Sequence, residues 1–287
     1  MSTAESVSAA DAPRDVEARV ARWLGDARAV TVLTGAGIST DSGIPDFRGP
    51  SGLWTQNPGA QRMFTLDAYV ADPDVRRQAW RNRREHAAWT AEPNAGHRAL
   101  VGVERSGRLR ALLTQNIDEL HQRAGSDPER VVELHGTLFV VECLTCAERT
   151  PMADVLRRVD AGEDDPECLA CGGIQKSATI SFGQSLKADV LTEAIRASEE
   201  CDLFLAVGSS LSVQPAAGLC RVAVGAGARL VVVNAEPTPY DPIAAAVLHA
   251  PVGEVLPRLV AGLARPASTG GPADPSDPSD PGTPSAS

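Results

Sequence analysis

The stretch AVTVLTGAG, residues 29–37, joins a short apolar run to a glycine-rich turn. An apolar run of this length that stops at glycine is typical of a buried β-strand ending in a tight turn. The segment before it, residues 13–28, has apolar residues spaced to fall on one face of a helix, namely Val16, Val20, Trp23, Leu24 and Ala27. The chain is therefore predicted to begin with a helix and a strand that leads into a glycine turn.

Four later apolar runs repeat this form, because each ends in polar or small residues. These runs are 109–113 before Thr114-Gln115-Asn116, 131–134 before His135-Gly136, 203–207 before Gly208-Ser209-Ser210, and 230–233 before Asn234. Helical patterns follow at 190–195 and 252–260. Alternating strands and helices predict an α/β fold with a doubly wound, mostly parallel sheet. Ligands bind beyond the carboxyl ends of such strands, where these polar residues should collect.

The composition narrows the class of protein. Of 287 residues, 43% are hydrophobic and only 4% are aromatic, so the core should consist mainly of Ala, Val, Leu and Ile. The net charge of −10 argues against a nucleic-acid partner, whose binding depends on neutralised phosphates. Residues 1–14 have no apolar stretch of the kind found in a secretory leader, and no run approaches the roughly 18 apolar residues of a membrane span, so neither is expected. We therefore expect a cytoplasmic protein with no membrane partner.

Four of the six cysteines form two close pairs, Cys143-x-x-Cys146 and Cys168-x-x-Cys171, with 21 residues between them. Two such pairs can complete a tetrahedral thiolate shell around one zinc ion, which leaves no open position for a reacting water. The spacing predicts a structural zinc site, and catalytic zinc or a redox pair are the alternatives. Cys201 and Cys220 lie in apolar segments and are predicted to be buried thiols.

The glycine turn alone is a weak sign of a dinucleotide site, since the third glycine after Gly35-x-Gly37 is Gly43, too far along the chain for the usual fingerprint. Among the five histidines, His86 and His249 lie in ordinary helical or loop context, and His97 and His121 are predicted to pack or cap helices. His135 differs because it ends a predicted strand before a glycine. It is a candidate general base, with a packing role left open.

The sequence resembles the sirtuins, a family of NAD-dependent protein-lysine deacylases, and specifically the bacterial type, from about Val16 to Leu263. The resemblance rests on motifs that occur together and in order: Gly35-Ala36-Gly37-Ile38-Ser39, Gly43-Ile44-Pro45-Asp46-Phe47-Arg48, Thr114-Gln115-Asn116-Ile117-Asp118, His135-Gly136, both cysteine pairs, Phe182-Gly183 and Gly208-Ser209-Ser210-Leu211. It implies a Rossmann-like NAD-binding domain, a smaller domain, and a cleft that NAD and acyl-lysine enter from opposite sides.

The resemblance also implies a division of the chain. The Rossmann-like domain would comprise residues 13–45, 97–137 and 178–265. The smaller domain would combine a helical module at 46–96 with a zinc-binding module, resembling a zinc ribbon, at 138–177. The ends, residues 1–12 and 266–287, are expected to be disordered, because the second of these is almost entirely Pro, Ser, Gly, Asp, Ala and Thr.

By the same resemblance His135 would be the catalytic base that activates a ribose hydroxyl. The peptide would be bound by Ile180, Phe182, Gly183, Leu211 and Val213, as a strand added between two segments of the chain. NAD would be bound by Gly35, Ala36, Gly37, Asp46, Phe47, Arg48, Gln115, Asn116, Ile117, Asp118, Gly208, Ser209, Ser210, Asn234 and Val252.

The sequence departs from its relatives at three places, and the third bears on the substrate. Gln184 replaces a common Glu, and Ser209 replaces a common Thr. Trp80-x-x-Arg83 stands where bacterial desuccinylases have Tyr-x-x-Arg, which favours acetyl over succinyl. The predicted function is NAD-dependent deacetylation of lysine in acetylated peptides or proteins by a monomeric enzyme. The alternatives are other acyl chains, mono-ADP-ribosyl transfer or NAD hydrolysis at the same site, and a non-catalytic NAD-sensing protein.

Overall fold

The computed structural model describes residues 13–49, 52–56 and 64–263. The predicted disordered ends, 1–12 and 266–287, lie outside the described residues. Within that part of the chain, no helix is both long and apolar enough to cross a membrane.

The strands in chain order are β1 Val30–Thr34, β2 Leu109–Thr114, β3 Val131–Glu133, β4 Gly136–Cys143, β5 Arg149–Pro151, β6 Gln175–Thr179, β7 Leu203–Val207, β8 Arg229–Val233 and β9 Ala246–Leu248. The helices are α1 Pro13–Asp26, α2 Leu53–Gln56, α3 Leu66–Ala71, α4 Pro73–Arg84, α5 Ala95–Arg105, α6 Leu120–Ala124, α7 Met152–Asp160, α8 Ala188–Glu199, α9 Leu219–Gly225 and α10 Val252–Val260.

Six strands form a parallel sheet in the order β3-β2-β1-β7-β8-β9. The chain leaves β1 towards β2 and β3 on one side and later returns to β7 on the other, so the strand order reverses between β1 and β7. In open α/β sheets the ligand crevice lies outside the strand ends at this reversal. The predicted doubly wound sheet is confirmed, and β9 is a strand that the sequence pattern missed.

Apolar residues fill both faces of the sheet. On one face, Leu24 of α1, Leu100 of α5 and Val255 of α10 pack against the strands. On the other face, a second cluster includes residues of α8 and α9 together with Cys201 and Cys220, which confirms that both thiols are buried. Each cluster removes one face of the sheet from water, as a parallel sheet requires.

The smaller part of the chain holds an antiparallel sheet in the order β5-β4-β6. Trp80 of α4 and Met152 of α7 pack with Val141 of β4 in a separate apolar cluster. The hydroxyl of Tyr69 on α3 donates to the carbonyl of Gln175 at 2.6 Å and so ties the helical insertion to the cysteine-bearing one. β4 begins at Gly136, two residues before the predicted insertion 138–177. The predicted domain limits stay a proposal.

Candidate active site and metal centre

The glycines after β1 lie against the glycine after β7. The amide N of Gly37 donates to the carbonyl of Gly208 at 2.8 Å, and a Cβ on Gly37 would lie 2.8 Å from that oxygen. A Cβ on Gly35 would lie 2.7 Å from the Cβ of Ser209. Side chains at these positions would push the two strand ends apart. The glycine turn therefore forms a closely packed floor at the strand-order reversal.

Asn116 and Asp118 meet Ser39 immediately beside this floor. The Ser39 hydroxyl donates to Oδ2 of Asp118 at 2.7 Å, and Nδ2 of Asn116 donates to Oγ of Ser39 and to the Gly35 carbonyl, both at 3.1 Å. All three side chains are buried. Ser39 is a site residue that the sequence analysis quoted in a motif but did not assign. Ser39 follows a short 3-10 turn, which has no helical or strand periodicity, so the sequence pattern does not predict where its side chain points.

His135 is held by the backbone of Gln115. Its Nδ1 lies 2.9 Å from the Gln115 carbonyl oxygen, which can only accept a hydrogen bond, so Nδ1 carries the ring hydrogen. Nε2 is then the basic nitrogen. Burial lowers the pKa of His135, opposed by this backbone hydrogen bond, so the neutral ring is favoured at neutral pH. A neutral imidazole held in this way can act as a general base, as predicted for His135.

The side chain of Gln115 forms a second hydrogen bond, to the turn that follows β7. Its Nε2 donates to Oγ of Ser209 at 2.8 Å, and that oxygen also accepts the backbone N–H of Leu211 at 3.2 Å. Gln115 thus holds His135 through its carbonyl and holds Ser209 through its amide. The predicted base and the turn after β7 are therefore joined through Gln115, and the Leu211 segment is joined to them through Ser209.

The segment that follows β6 runs alongside His135. The N–H of Ile180 donates to the His135 carbonyl at 2.9 Å. Phe182 remains 40% exposed and exchanges backbone hydrogen bonds with Phe64 and Leu66, at 2.9 and 3.0 Å. Phe47 packs edge-on against Phe64 with ring centroids 6.4 Å apart. The Phe47 turn and the Phe182 segment, predicted for NAD and peptide respectively, therefore meet through Phe64.

The other predicted residues lie at separate places around the glycine turn. Asn234 follows β8, and its Nδ2 donates to the Glu236 carbonyl at 2.7 Å. The carbonyl of Ile117 accepts the N–H of Leu138 at 3.0 Å, which fixes the start of β4. Val252 is buried in the core at the start of α10. Oδ1 of Asp46 accepts the N–H of Gly49 at 3.0 Å, and burial lowers the pKa of Arg48 in the same turn.

The four cysteine sulfurs converge at the far end of β4. All lie within 4.8 Å of one another, with 3.6 Å between Cys143 and Cys171 and 3.7 Å between Cys146 and Cys168. Sulfurs each about 2.3 Å from a tetrahedral zinc would lie roughly 3.8 Å apart, so the cluster fits zinc. Gly172 has φ +70, as the sharp turn after Cys171 requires. The predicted zinc site is supported by this donor set.

The zinc site is remote from His135. β4 runs from Gly136, next to His135, to Cys143, which corresponds to roughly 20 Å of extended strand. Four thiolates also leave no open coordination position for a substrate. A metal ion here would stabilise the small domain and would not take part in a reaction at His135.

His97 caps the start of α5, as predicted. Its Nδ1 accepts the N–H of Asn94 at 3.3 Å within a capping box. Nε2 therefore carries the hydrogen and faces Oγ of Ser39 at 3.5 Å. Burial lowers the pKa of His97 to about 4, so the ring is neutral at neutral pH. Through its contact with Ser39, His97 lies next to the hydrogen-bonded group of Ser39, Asn116 and Asp118. The capping motif alone did not predict this contact.

Comparison with known proteins places this geometry in a family. The model of the Sir2 family matches residues 35–215. NAD-dependent protein deacetylase 2 of Streptomyces coelicolor is 56% identical over 82% of this chain and 97% of its own, and NAD-dependent protein deacetylase 1 of Bradyrhizobium diazoefficiens is 44% identical over 83% and 92%. A solved Sir2 structure with a p53 peptide and NAD has a TM-score of 0.75 at 38% identity, covering 84% of this chain and 95% of that one.

Proposed function

The chain belongs to the Sir2 family, and on that premise we propose that it is an NAD-dependent protein-lysine deacetylase. It transfers the acetyl group of acetyl-lysine to ADP-ribose and releases nicotinamide and free lysine. The observation that carries the proposal is the neutral, oriented His135, whose Nδ1 is held by the Gln115 carbonyl and whose Nε2 is free to accept a proton. NAD supplies the ribose acceptor and the nicotinamide leaving group.

The residues around the glycine turn hold the two ends of NAD. Asn116 and Asp118 face the nicotinamide carboxamide, whose N–H groups the Asp118 carboxylate and Oδ1 of Asn116 can accept, since both Nδ2 hydrogens of Asn116 are already donated to Gly35 and Ser39. Ser209 and Ser210, after Gly208, bind phosphate through hydroxyl and backbone N–H groups. Asn234 binds the adenosine ribose. The direct contact of Gln115 with both His135 and Ser209 supports this layout, because it fixes the base relative to the phosphate end.

The acetylated peptide pairs as an extended strand with Ile180–Gly183 on one side and Leu211–Val213 on the other. Backbone hydrogen bonds supply most of the affinity in this binding mode, so sequence selectivity is low. The hydrogen bond from the Ile180 N–H to the His135 carbonyl supports the assignment, since Ile180 is then next to the proposed base.

Two side chains in the helical insertion favour acetyl over succinyl. Trp80 is fully buried in the small-domain core, so its position offers no tyrosine hydroxyl to a second carboxylate. Arg83 donates from Nη2 to Oγ of Ser177 at 2.7 Å. A panel of acetyl, propionyl and succinyl peptides, compared by kcat/KM, tests this preference. A succinyl peptide that is turned over faster than the acetyl peptide would contradict it.

The central test is the His135→Ala variant, assayed by mass spectrometry with an acetylated peptide and NAD. We expect acetyl-ADP-ribose and free lysine only when NAD is present, and a loss of at least about 100-fold in turnover for the variant. NAD binding, followed by calorimetry, should be retained. Nicotinamide release by the wild type that does not depend on peptide would instead indicate NAD hydrolysis. The monomeric state, cytoplasmic location and absence of a nucleic-acid partner remain predictions.

A further inference from the structure

His121 is buried behind the residues proposed to hold nicotinamide. It lies at the start of α6 with 1% of its surface exposed, and its ring centroid is 5.0 Å from that of His97. Burial, with a smaller contribution from His97, lowers the pKa of His121 well below its ordinary value. The ring is therefore neutral at neutral pH, with one nitrogen that donates and one that accepts.

Two threonine hydroxyls determine which nitrogen of His121 carries the hydrogen. Oγ1 of Thr34 donates to Oγ1 of Thr114 at 2.9 Å, so the single hydroxyl hydrogen of Thr34 is already used. The contact of 2.9 Å between Thr34 Oγ1 and His121 Nε2 must then be a hydrogen bond donated by the histidine. Nε2 carries the ring hydrogen, and Nδ1 is the acceptor.

This chain of hydrogen bonds ends on Asn116. Oγ1 of Thr114 also accepts the backbone N–H of Asn116 at 3.1 Å. Thr34 and Thr114 are both buried at the ends of neighbouring strands, so no bulk water competes for these groups. Asn116 is held on its other side by the bonds from its own amide to Gly35 and Ser39. His121 is thus the outer end of a buried relay that orients the Asn116 backbone.

A packing role does not account for this histidine. Its Nδ1 is buried and has no hydrogen-bond partner among the described residues. A buried acceptor without a partner has an unfavourable desolvation cost, which an apolar side chain of similar size would avoid. The feature of His121 that such a side chain could not supply is the N–H directed at Thr34.

We infer that His121 is a positioning residue for the nicotinamide end of NAD. Its Nε2–H donates to Thr34, and this directs the Thr34 hydroxyl towards Oγ1 of Thr114. Oγ1 of Thr114 in turn accepts the backbone N–H of Asn116 and so holds Asn116 in place for the carboxamide. The inference rests on the proposed function, since it assumes that Asn116 contacts nicotinamide. No other residue in the relay reaches a ligand directly.

The test compares His121→Phe with His121→Gln in steady-state deacetylation of an acetylated peptide. Phe removes the donor. We expect the KM for NAD and the inhibition constant of the product nicotinamide to rise about three- to tenfold, which is the equivalent of one net hydrogen bond. The KM for the peptide should not change. Gln offers an amide N–H at a similar reach and should restore both constants to within about twofold. Thr34→Val removes the next link and should reproduce the Phe result.

Thr31→Val is the matched control. Thr31 lies on the same strand, is equally buried, and donates to the Ala197 carbonyl at 2.7 Å, away from the relay. It should lower the melting temperature without changing the nicotinamide constant. If His121→Phe does not fold, Thr34→Val against Thr31→Val decides the question alone.

The inference is overturned if Thr34→Val changes only the melting temperature, as Thr31→Val is expected to, or if Gln behaves like Phe. Failure of the proposed function is a separate outcome, because the wild-type protein would then show no NAD-dependent deacetylation at all.

Discussion

Gly136, the residue after the proposed base, is the position where one added methyl group should do most damage to activity. Its φ of +71 lies in the left-handed region. A Cβ at this position would lie 1.9 Å from the carbonyl oxygen of Ala178 on β6. This distance must widen to at least 3.0 Å, so β6 and β4 must separate by about 1.1 Å in Gly136→Ala.

The displacement acts directly on the proposed site. The chain that must move continues from Ala178 into Ile180, whose N–H is bonded to the His135 carbonyl. A misplacement of about 1 Å can lower catalysis about 100-fold, which corresponds to about 2.7 kcal/mol of transition-state stabilisation. The left-handed backbone adds about 1–2 kcal/mol of strain to the folded state. We therefore expect kcat/KM to fall about 100-fold and the melting temperature to fall as well.

Gly227→Ala separates strain from displacement. Gly227 has φ +96, and a Cβ there would have no neighbour within 4 Å. It should lose about 1–2 kcal/mol of stability, from backbone strain alone, and keep near wild-type kcat/KM in the same mass-spectrometric assay. The reasoning is refuted if Gly136→Ala retains activity within about threefold, or if Gly227→Ala loses as much activity as Gly136→Ala.

Two further predictions concern stability. Cys143→Ala should abolish stoichiometric zinc in elemental analysis and lower the melting temperature or cause aggregation, because a structural zinc ion contributes folding energy directly; a metal-free variant with an unchanged melting curve would contradict this. His97 and His121 have lowered pKa values in the folded protein, so the unfolded chain binds more protons below about pH 6.5. The free energy of unfolding should then fall as pH drops, by at most about 1.4 kcal/mol per pH unit for each histidine, as measured by urea denaturation between pH 7 and 5. The raised pKa of Glu133, about 7 because of burial, acts in the opposite direction but can offset only about one of the two histidines, so a flat profile would contradict the prediction.

The sequence predicted the parallel sheet well because five of its strands are apolar runs with clear ends. β9 was missed, since Ala246–Leu248 is only three residues long and has no periodicity to detect. The antiparallel pairing of β4 with β5 and β6 was also not predicted. It depends on tertiary packing around Trp80, which has no local pattern, and on how the two cysteine pairs, whose spacing was recognised, come together in space.

The candidate site was predicted as a set of residues but not as a set of contacts. Strand ends identify Gln115 and His135 as neighbours at one sheet edge, yet their contact runs through a backbone carbonyl, which no residue type encodes. For a related reason Ser39 went unassigned, and His121 was predicted only to pack or to cap a helix. Each acts through the direction of a hydrogen bond, and that direction depends on which groups surround it in three dimensions.

The continuous strand from Gly136 to Cys143 has a practical consequence for anyone who purifies this protein. A chelating buffer removes zinc from the cysteines, and an oxidant converts their thiolates so that they release it. Either treatment is expected to abolish turnover while every residue proposed to contact NAD remains chemically intact. Specific activity should accordingly be expressed per mole of bound zinc rather than per mole of chain. A variant without measurable turnover can be judged only after its metal content has been matched to that of the wild type.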